Sequence, residues 1–207
     1  RLNPDLADAW YQRGRIWMTR GRNDWALKMF TSALDRESTH VPARVGLAMA
    51  LRAAGAFSEA LTEATRALET DPGYANAYMV RGNTRMNQGD LEGALVDFST
   101  AVELESALIG ASINRGAVLG RLGRYAEAAE AYSAALTQNP DHPGALGGRG
   151  VAFRLLGRID DAISDHSRLI TLHPENPQGF LARARDYAAA GRVEEAVADF
   201  DQALHLS

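Results

Sequence analysis

The residue types that most often carry out chemistry in proteins are sparse in this chain. Cysteine is absent, which excludes disulfides, thiolate metal sites and cysteine nucleophiles. The five histidines lack the i, i+4 spacing that places two metal ligands on one helical face, and each is interpreted as structural. No glycine-rich phosphate loop and no serine, histidine and acid set is found. The sequence therefore predicts no enzyme activity, no metal site and no cofactor. The histidines are His40, His142, His166, His173 and His205.

The overall composition is that of a folded protein with a small acidic excess. Of its 207 residues, 46% are hydrophobic and 23% are charged, which argues against a disordered chain. A net charge of −4 argues against a general nucleic-acid binder. The longest uncharged runs, such as residues 106–114, are far shorter than the ~20 apolar residues of a membrane span, so no membrane insertion is expected. The lack of cysteine and of a signal peptide favours an intracellular location.

A period of 34 residues runs through the whole chain. Six glycines recur at this interval without an insertion, and each is followed five residues later by an alanine. Two sixfold registers of this kind indicate tandem repeats. The glycines are Gly21, Gly55, Gly89, Gly123, Gly157 and Gly191, and the alanines are Ala26, Ala60, Ala94, Ala128, Ala162 and Ala196.

The elements that these residues delimit are pairs of helices. A glycine can adopt the left-handed conformation that ends the first helix of each pair. Acidic residues such as Glu59 and Glu127 then favour the first turn of the second helix, where they face the positive end of the helix dipole. Prolines at 72, 140 and 174 end the second helix before the next unit begins.

Large and small residues alternate at fixed positions when each unit is numbered from 1 to 34, starting at Ala7. The first unit shows the pattern with Trp10, Gly14, Trp17, Ala26, Phe30 and Ala33. This pattern resembles the tetratricopeptide repeat (TPR) family over essentially the whole chain. The resemblance implies an all-α fold, a right-handed superhelical solenoid of antiparallel helix pairs whose first helices line a concave groove. The second unit departs most, with Arg44 at position 4 and Ala64 at position 24.

The register divides one continuous solenoid domain into six repeats. They are expected at residues 7–40, 41–74, 75–108, 109–142, 143–176 and 177–207, the last being truncated. Residues 1–6 fit the end of a preceding repeat. Because no polar capping helix follows the sixth repeat, we expect that the sequence is a fragment of a longer protein. Apolar residues of the uncapped terminal repeat, Val193, Val197 and Leu204, make a homo-oligomer possible.

By the resemblance, positions 2, 5, 6, 9, 12 and 13 of each unit point into the groove. They carry five arginines and a single acid, Asp8, although the whole chain is acidic. Arginine binds carboxylates through two parallel hydrogen bonds, which favours an acidic or carboxylate-bearing peptide as ligand. The alternative is that arginines at positions 12 and 13 only extend along the groove's rim. The five are Arg15, Arg52, Arg121, Arg154 and Arg185.

Asparagines, methionines and two adjacent glycines complete the predicted peptide-binding set. An amide can donate to and accept from a peptide backbone, and methionine offers adaptable apolar contact. Glycine inside a helix suggests the close approach of a ligand or of a neighbouring helix. The alternative for the asparagines is that they are solvated polar residues. The alternative for the glycines and methionines is that they vary freely on a surface that tolerates substitution. These residues are Met79, Asn83, Met86, Asn87, Asn114, Gly147 and Gly148.

Two further patterns narrow the interpretation. Asn83 and Asn114 match the asparagines of the TPR subtype that captures chaperone C-termini, but its three cations are missing, so this subtype is not expected. Arginine at position 7 and an acid at position 23 are predicted to form exposed ion pairs that fix the repeat geometry, worth about 0–1 kcal/mol each. The arginines are Arg13, Arg81, Arg115, Arg149 and Arg183, and the acids are Glu63, Asp97, Asp165 and Asp199.

Together these patterns predict a protein–protein interaction scaffold that binds a peptide of a partner across repeats three to five. In this hypothesis Arg121 and Arg154 meet acidic groups, while Asn83 and Asn114 meet the peptide backbone. Two alternatives stay open, a self-assembling structural module and a regulatory or recruitment segment of a larger enzyme.

Overall fold

The computed structural model describes residues 4–207, and every regular element in that range is an α-helix. Twelve helices follow one another there as consecutive pairs, which confirms the predicted all-α fold. They fall into two compact units, one ending at Ser106 and the other beginning at Ala107. Residues 1–3, part of the segment assigned to a preceding repeat, lie outside the described residues.

In the first unit each helix packs against the next one along the chain, and the first helices of neighbouring pairs also pack against each other. The helices of this unit are α1 (Pro4–Thr19), α2 (Asn23–Arg36), α3 (Val41–Ala53), α4 (Phe57–Thr70), α5 (Ala75–Gln88) and α6 (Leu91–Leu104).

The second unit repeats this arrangement, with α9 packed against α7, α8, α10 and α11. Its helices are α7 (Ile109–Arg121), α8 (Tyr125–Gln138), α9 (Pro143–Leu155), α10 (Ile159–Leu172), α11 (Pro177–Ala189) and α12 (Val193–His205).

A glycine forms the turn inside each pair. All six recurrent glycines have positive φ angles, from 69° at Gly21 to 85° at Gly89, as the sequence predicts. Histidines perform a similar local role at two helix starts, since the Nδ1 atoms of His40 and His142 accept hydrogen bonds from the backbone N–H groups of Ala43 and Ala145.

Small residues are required where one aromatic ring packs between two helices. The ring of Phe30 in α2 lies between Gly14 of α1 and Gly46 of α3, where an added Cβ would come within 2.5 and 2.6 Å of ring atoms. Tyr132 in α8 lies in the same way between Gly116 of α7 and Gly148 of α9. These contacts explain why the first helices of neighbouring pairs carry glycine on the faces that meet a ring.

The arginine–acid pairs form in three repeats, but the prediction that they are exposed is wrong. Arg149 donates two hydrogen bonds to Asp165, of 2.8 and 2.7 Å, and a third to Ser133, so it links α8, α9 and α10. The hydrogen bond to Asp165 raises the pKa of the Arg149 guanidinium. Arg183 binds Asp199 and Ser167 in the same geometry.

The acids of these pairs are buried because they lie on the faces that the two helices of a pair share. Asp97, which binds Arg81 and Arg85, has no exposed side-chain surface. In the second repeat Glu63 instead pairs with Arg44, since position 7 is there a leucine.

The outer face of α12 carries the apolar surface from which self-association is predicted. Val193, Val197 and Leu204 are 60%, 52% and 73% exposed. Self-association through this surface stays a prediction.

Candidate functional site

The first helices of the pairs, which we call the inner helices, line a concave site in the first unit. We call this site the first cavity. Its volume is about 630 Å³, within the range of ~300–1,000 Å³ that is typical of ligand sites. Helices α1 and α3 supply most of its wall, and α2, α5 and the residue before α5 supply the rest. The lining residues are Tyr11, Gln12, Arg15, Ile16, Met18, Thr19, Phe30, Pro42, Val45, Gly46, Met49, Tyr74 and Asn76.

Arg15 gives the first cavity a positive charge that no acidic lining residue offsets. Its side chain is exposed, and Nη1 donates a 3.0 Å hydrogen bond to Gln12 Oε1. The guanidinium carbon lies 5.8 Å from the centre of the Tyr11 ring, within the distance of a cation–π contact. These contacts leave donors of Arg15 available to a ligand and hold the side chain at the wall.

The rest of the first cavity is apolar with a few uncharged polar groups. Phe30 and Val45 are buried beneath it, whereas Met49 is 38% exposed. Burial raises the pKa of the Tyr74 hydroxyl, so this group is neutral at physiological pH and acts as a hydrogen-bond donor or acceptor. The site therefore combines one cation with adaptable apolar surface.

The other predicted site residues of the first unit lie on α3 and α5. Arg52 is half-buried, and its Nη1 lies 3.4 Å from Oδ1 of the exposed Asn87, which connects the second and third repeats. Three further predicted residues, Met79, Asn83 and Met86, are half-buried on α5. None of these five residues lines the first cavity.

In the second unit the predicted site residues differ in their surroundings. Arg121 and Arg185 are exposed and form no ion pair with any residue that the structure describes, while Asn114 is half-buried on α7. Arg154 is half-buried, and its Nε lies 3.2 Å from Oδ1 of Asp186. An acidic ligand would therefore have to compete with Asp186 for Arg154.

The two adjacent glycines of α9 are not equivalent. Gly148 lies against the Tyr132 ring, where an added Cβ would come within 2.6 Å of Cε1. An added Cβ at Gly147 would lie 3.5 Å from Leu169 Cδ1, an ordinary contact distance. Packing within the chain therefore accounts for glycine at 148 but not at 147.

Gly147 lines a further concave site in the second unit, which we call the second cavity. Its volume is about 360 Å³. The lining residues are Pro143, Gly147, Val151, His166, Leu169, His173, Asn176, Gln178, Gly179 and Ala182.

The predicted binding region in repeats three to five includes residues of both compact units, and it stays a prediction. Sequence reasoning missed the concentration of aromatic side chains around Arg15, which the first unit places at one cavity. It also missed Asp186. The available signal was an acid at position 10, where the other repeats have isoleucine, alanine, threonine, valine and alanine.

Metal-binding clusters and membrane-spanning helices are not found in residues 4–207. No group of three or more histidine, aspartate or glutamate side chains in residues 4–207 is arranged to hold a metal ion. Over the same range, none of the helices combines the length and the apolar character that crossing a bilayer needs.

Family models of the tetratricopeptide repeat match residues 18–83 and 113–177 of the chain. No curated protein matches its sequence.

Several solved structures share the fold at low sequence identity. PilF of Pseudomonas aeruginosa is 19% identical, with a TM-score of 0.84 over 94% of this chain and 89% of its own. YrrB, described as a TPR protein with an unusual peptide-binding site, is 22% identical, with a TM-score of 0.75 over 86% of this chain and 92% of its own. TTC0263, a thermophilic TPR protein of Thermus thermophilus, is 22% identical, with a TM-score of 0.68 over 89% of this chain and 98% of its own.

Proposed function

Because the chain belongs to the tetratricopeptide repeat family, we propose that it is a protein–protein interaction scaffold that binds a peptide of its partner on the inner helices. The first cavity is the part of this surface best suited to an acidic peptide. The observation that supports it most directly is Arg15, an exposed cation on the wall of a largely apolar cavity without an acidic lining residue.

The chemistry of the first cavity suggests what such a peptide contains. A carboxylate of the peptide accepts hydrogen bonds from the Arg15 guanidinium, and Gln12 keeps that group in place through Nη1. An apolar side chain nearby in the peptide packs against Met18, Met49 and Val45. The peptide class is therefore one in which acidic and apolar residues alternate closely.

Fluorescence anisotropy with two labelled peptides tests this function. One peptide alternates glutamate with leucine, and the matched peptide carries lysine in place of each glutamate. We expect the acidic peptide to bind more tightly, and we expect its affinity to fall as salt is raised because exposed charges are screened. Equal binding of both peptides would contradict the proposed ligand class.

A pair of arginine variants locates the binding. Arg15→Gln should weaken binding of the acidic peptide about two- to fivefold, the range of an exposed ion pair, and should reduce its salt dependence. Arg22→Gln is the matched control, because Arg22 is an exposed arginine of the same unit that pairs with Asp24 outside the cavity. If both variants bind like the unmodified protein, the first cavity is not the site.

A further inference from the structure

The second cavity contains a buried polar group that packing within the chain leaves unsatisfied. Its wall is largely apolar, and the ring of His166 in α10 forms part of it. This ring is only 1% exposed, and its Nε2 atom has no hydrogen-bond partner among residues 4–207. A buried acceptor without a partner is costly, so this atom requires an explanation.

The contacts of the other ring nitrogen, Nδ1, assign the hydrogen-bonding role of Nε2. Nδ1 is in hydrogen-bond contact with Oδ2 of Asp186, a fully buried carboxylate of α11. Oδ1 of the same carboxylate lies 3.2 Å from Nε of Arg154. A carboxylate that pairs with a guanidinium accepts hydrogen bonds, so we assign the donor role to Nδ1. The tautomer with its proton on Nδ1 leaves Nε2 as an acceptor.

The equivalent position in the first unit shows that the fold itself does not need this arrangement. There Phe30 takes the place of His166 and packs against Ala50, which stands where Asp186 stands in the sixth repeat. The residues that meet at that step are apolar. The histidine and aspartate are thus a departure from an arrangement that this chain already uses.

We propose that the second cavity binds a tyrosine side chain of a partner peptide, whose hydroxyl group donates a hydrogen bond to Nε2 of His166. This inference rests on the proposed function, because it assigns the partner peptide a further contact, on α9, α10 and α11 of the second unit. The tyrosine ring packs against Val151, Leu169 and Ala182, and the absence of a side chain at Gly147 leaves room for it. Nε2 is covered in the unbound chain, where the ring lies against Gly150 of α9, so binding includes a displacement of the His166 ring away from Gly150.

Other side chains fit this cavity less well. Phenylalanine packs against the apolar wall of the cavity but provides no hydrogen-bond donor for Nε2. A carboxylate presents an acceptor to an acceptor, and lysine brings a positive charge towards Arg154. Tyrosine combines an apolar ring with a neutral hydroxyl group that can donate a hydrogen bond.

Two small probes that differ by one hydroxyl group test the proposal without a partner peptide. The amide resonances of the full chain are followed by NMR while N-acetyl-tyrosinamide or N-acetyl-phenylalaninamide is added. We expect both probes to shift the resonances of Gly147, Val151 and Ala182, and we expect the tyrosine probe to bind about two- to tenfold more tightly, the ratio that a single hydrogen bond provides. Equal affinity, or shifts confined to the first cavity, would overturn the proposal.

The double variant His166→Phe, Asp186→Ala removes the acceptor by installing the pair that the first unit uses at Phe30 and Ala50. Circular dichroism establishes that it is folded, and its preference for the tyrosine probe should then disappear. Gly147→Leu is the second variant; it fills the cavity and leaves His166 and Asp186 unchanged, and it should abolish binding of both probes. Arg22→Gln is the control and should bind both probes like the unmodified chain.

If either cavity variant retains the tyrosine preference, the assignment is wrong. A different outcome is that the unmodified chain does not bind the acidic peptide at the first cavity but still prefers the tyrosine probe. That outcome would contradict the proposed function alone.

Discussion

At the scale of single residues, two adjacent glycines should respond in opposite ways to the same substitution. Gly148→Ala places a methyl group against the Tyr132 ring and should lower the free energy of unfolding by about 1–3 kcal/mol through overpacking. Gly147→Ala meets only an ordinary contact with Leu169 and should raise it by up to about 1 kcal/mol, since alanine favours the helix. Urea denaturation followed by circular dichroism measures both.

The two variants control each other because they lie in one helix and make the same chemical change. Equal effects of the two substitutions would show that the Tyr132 ring does not limit the space at Gly148. A stabilising effect of Gly148→Ala would have the same meaning.

Residue-level roles could be predicted from the sequence only where a local pattern determines them. The positive φ angle of Gly89 follows from its place between two helical stretches. The contact between Gly148 and Tyr132 does not, because it depends on how α8 packs against α9. For the same reason the sequence placed Arg154 opposite a ligand, whereas α11 brings Asp186 to within 3.2 Å of it.

At the scale of helices, the buried arginine–acid pairs should contribute more than exposed ones. Asp165→Asn leaves the Arg149 guanidinium without its charged partner between α8, α9 and α10. We expect a loss of about 2–4 kcal/mol in the free energy of unfolding, because breaking a buried pair leaves one charge uncompensated. Chemical denaturation of the variant and of the unmodified chain gives the difference.

Asp141→Asn is the matched control for this substitution. Asp141 pairs with Arg168 in the same unit at 2.8 Å, but both side chains are about half exposed. Pairs of this kind contribute about 0–1 kcal/mol, so we expect little change. If the two variants lose the same stability, burial does not set the strength of these pairs.

The helices themselves were the most predictable elements. Their ends follow from glycine, acidic first turns and proline, which act over a few residues along the chain. The partners at position 7 and position 23 were also predicted, but their burial was not. Spacing places Arg81 and Asp97 side by side, whereas the exposed fraction of Asp97 depends on the neighbouring helices that cover it.

At the scale of the whole molecule, periodicity predicts the number of repeats but not which repeats form a cavity. The 34-residue period fits the twelve helices described between residues 4 and 207. The first cavity depends instead on which side chains line the inner helices. Tyr11 comes from the first repeat, Met49 and Tyr74 come from the second, and Asn76 comes from the third. Their proximity is a result of packing. The residue types at the groove positions do not show which side chains meet in space, and for this reason they predicted a site in repeats three to five.

Each compact unit has the helices that a short solenoid needs to be stable alone. A repeat cannot bury its apolar face by itself, and about three stacked repeats are required for stability. We therefore expect the fragment 107–207, with its six helices α7–α12, to be helical by circular dichroism and to unfold cooperatively on heating. A fragment of residues 141–207 keeps only α9–α12 and should have a clearly lower Tm, because Tyr132 and the other side chains of α8 no longer cover α9. A random-coil spectrum for fragment 107–207, or equal Tm values for the two fragments, would mean that its stability does not arise from stacking between neighbouring repeats.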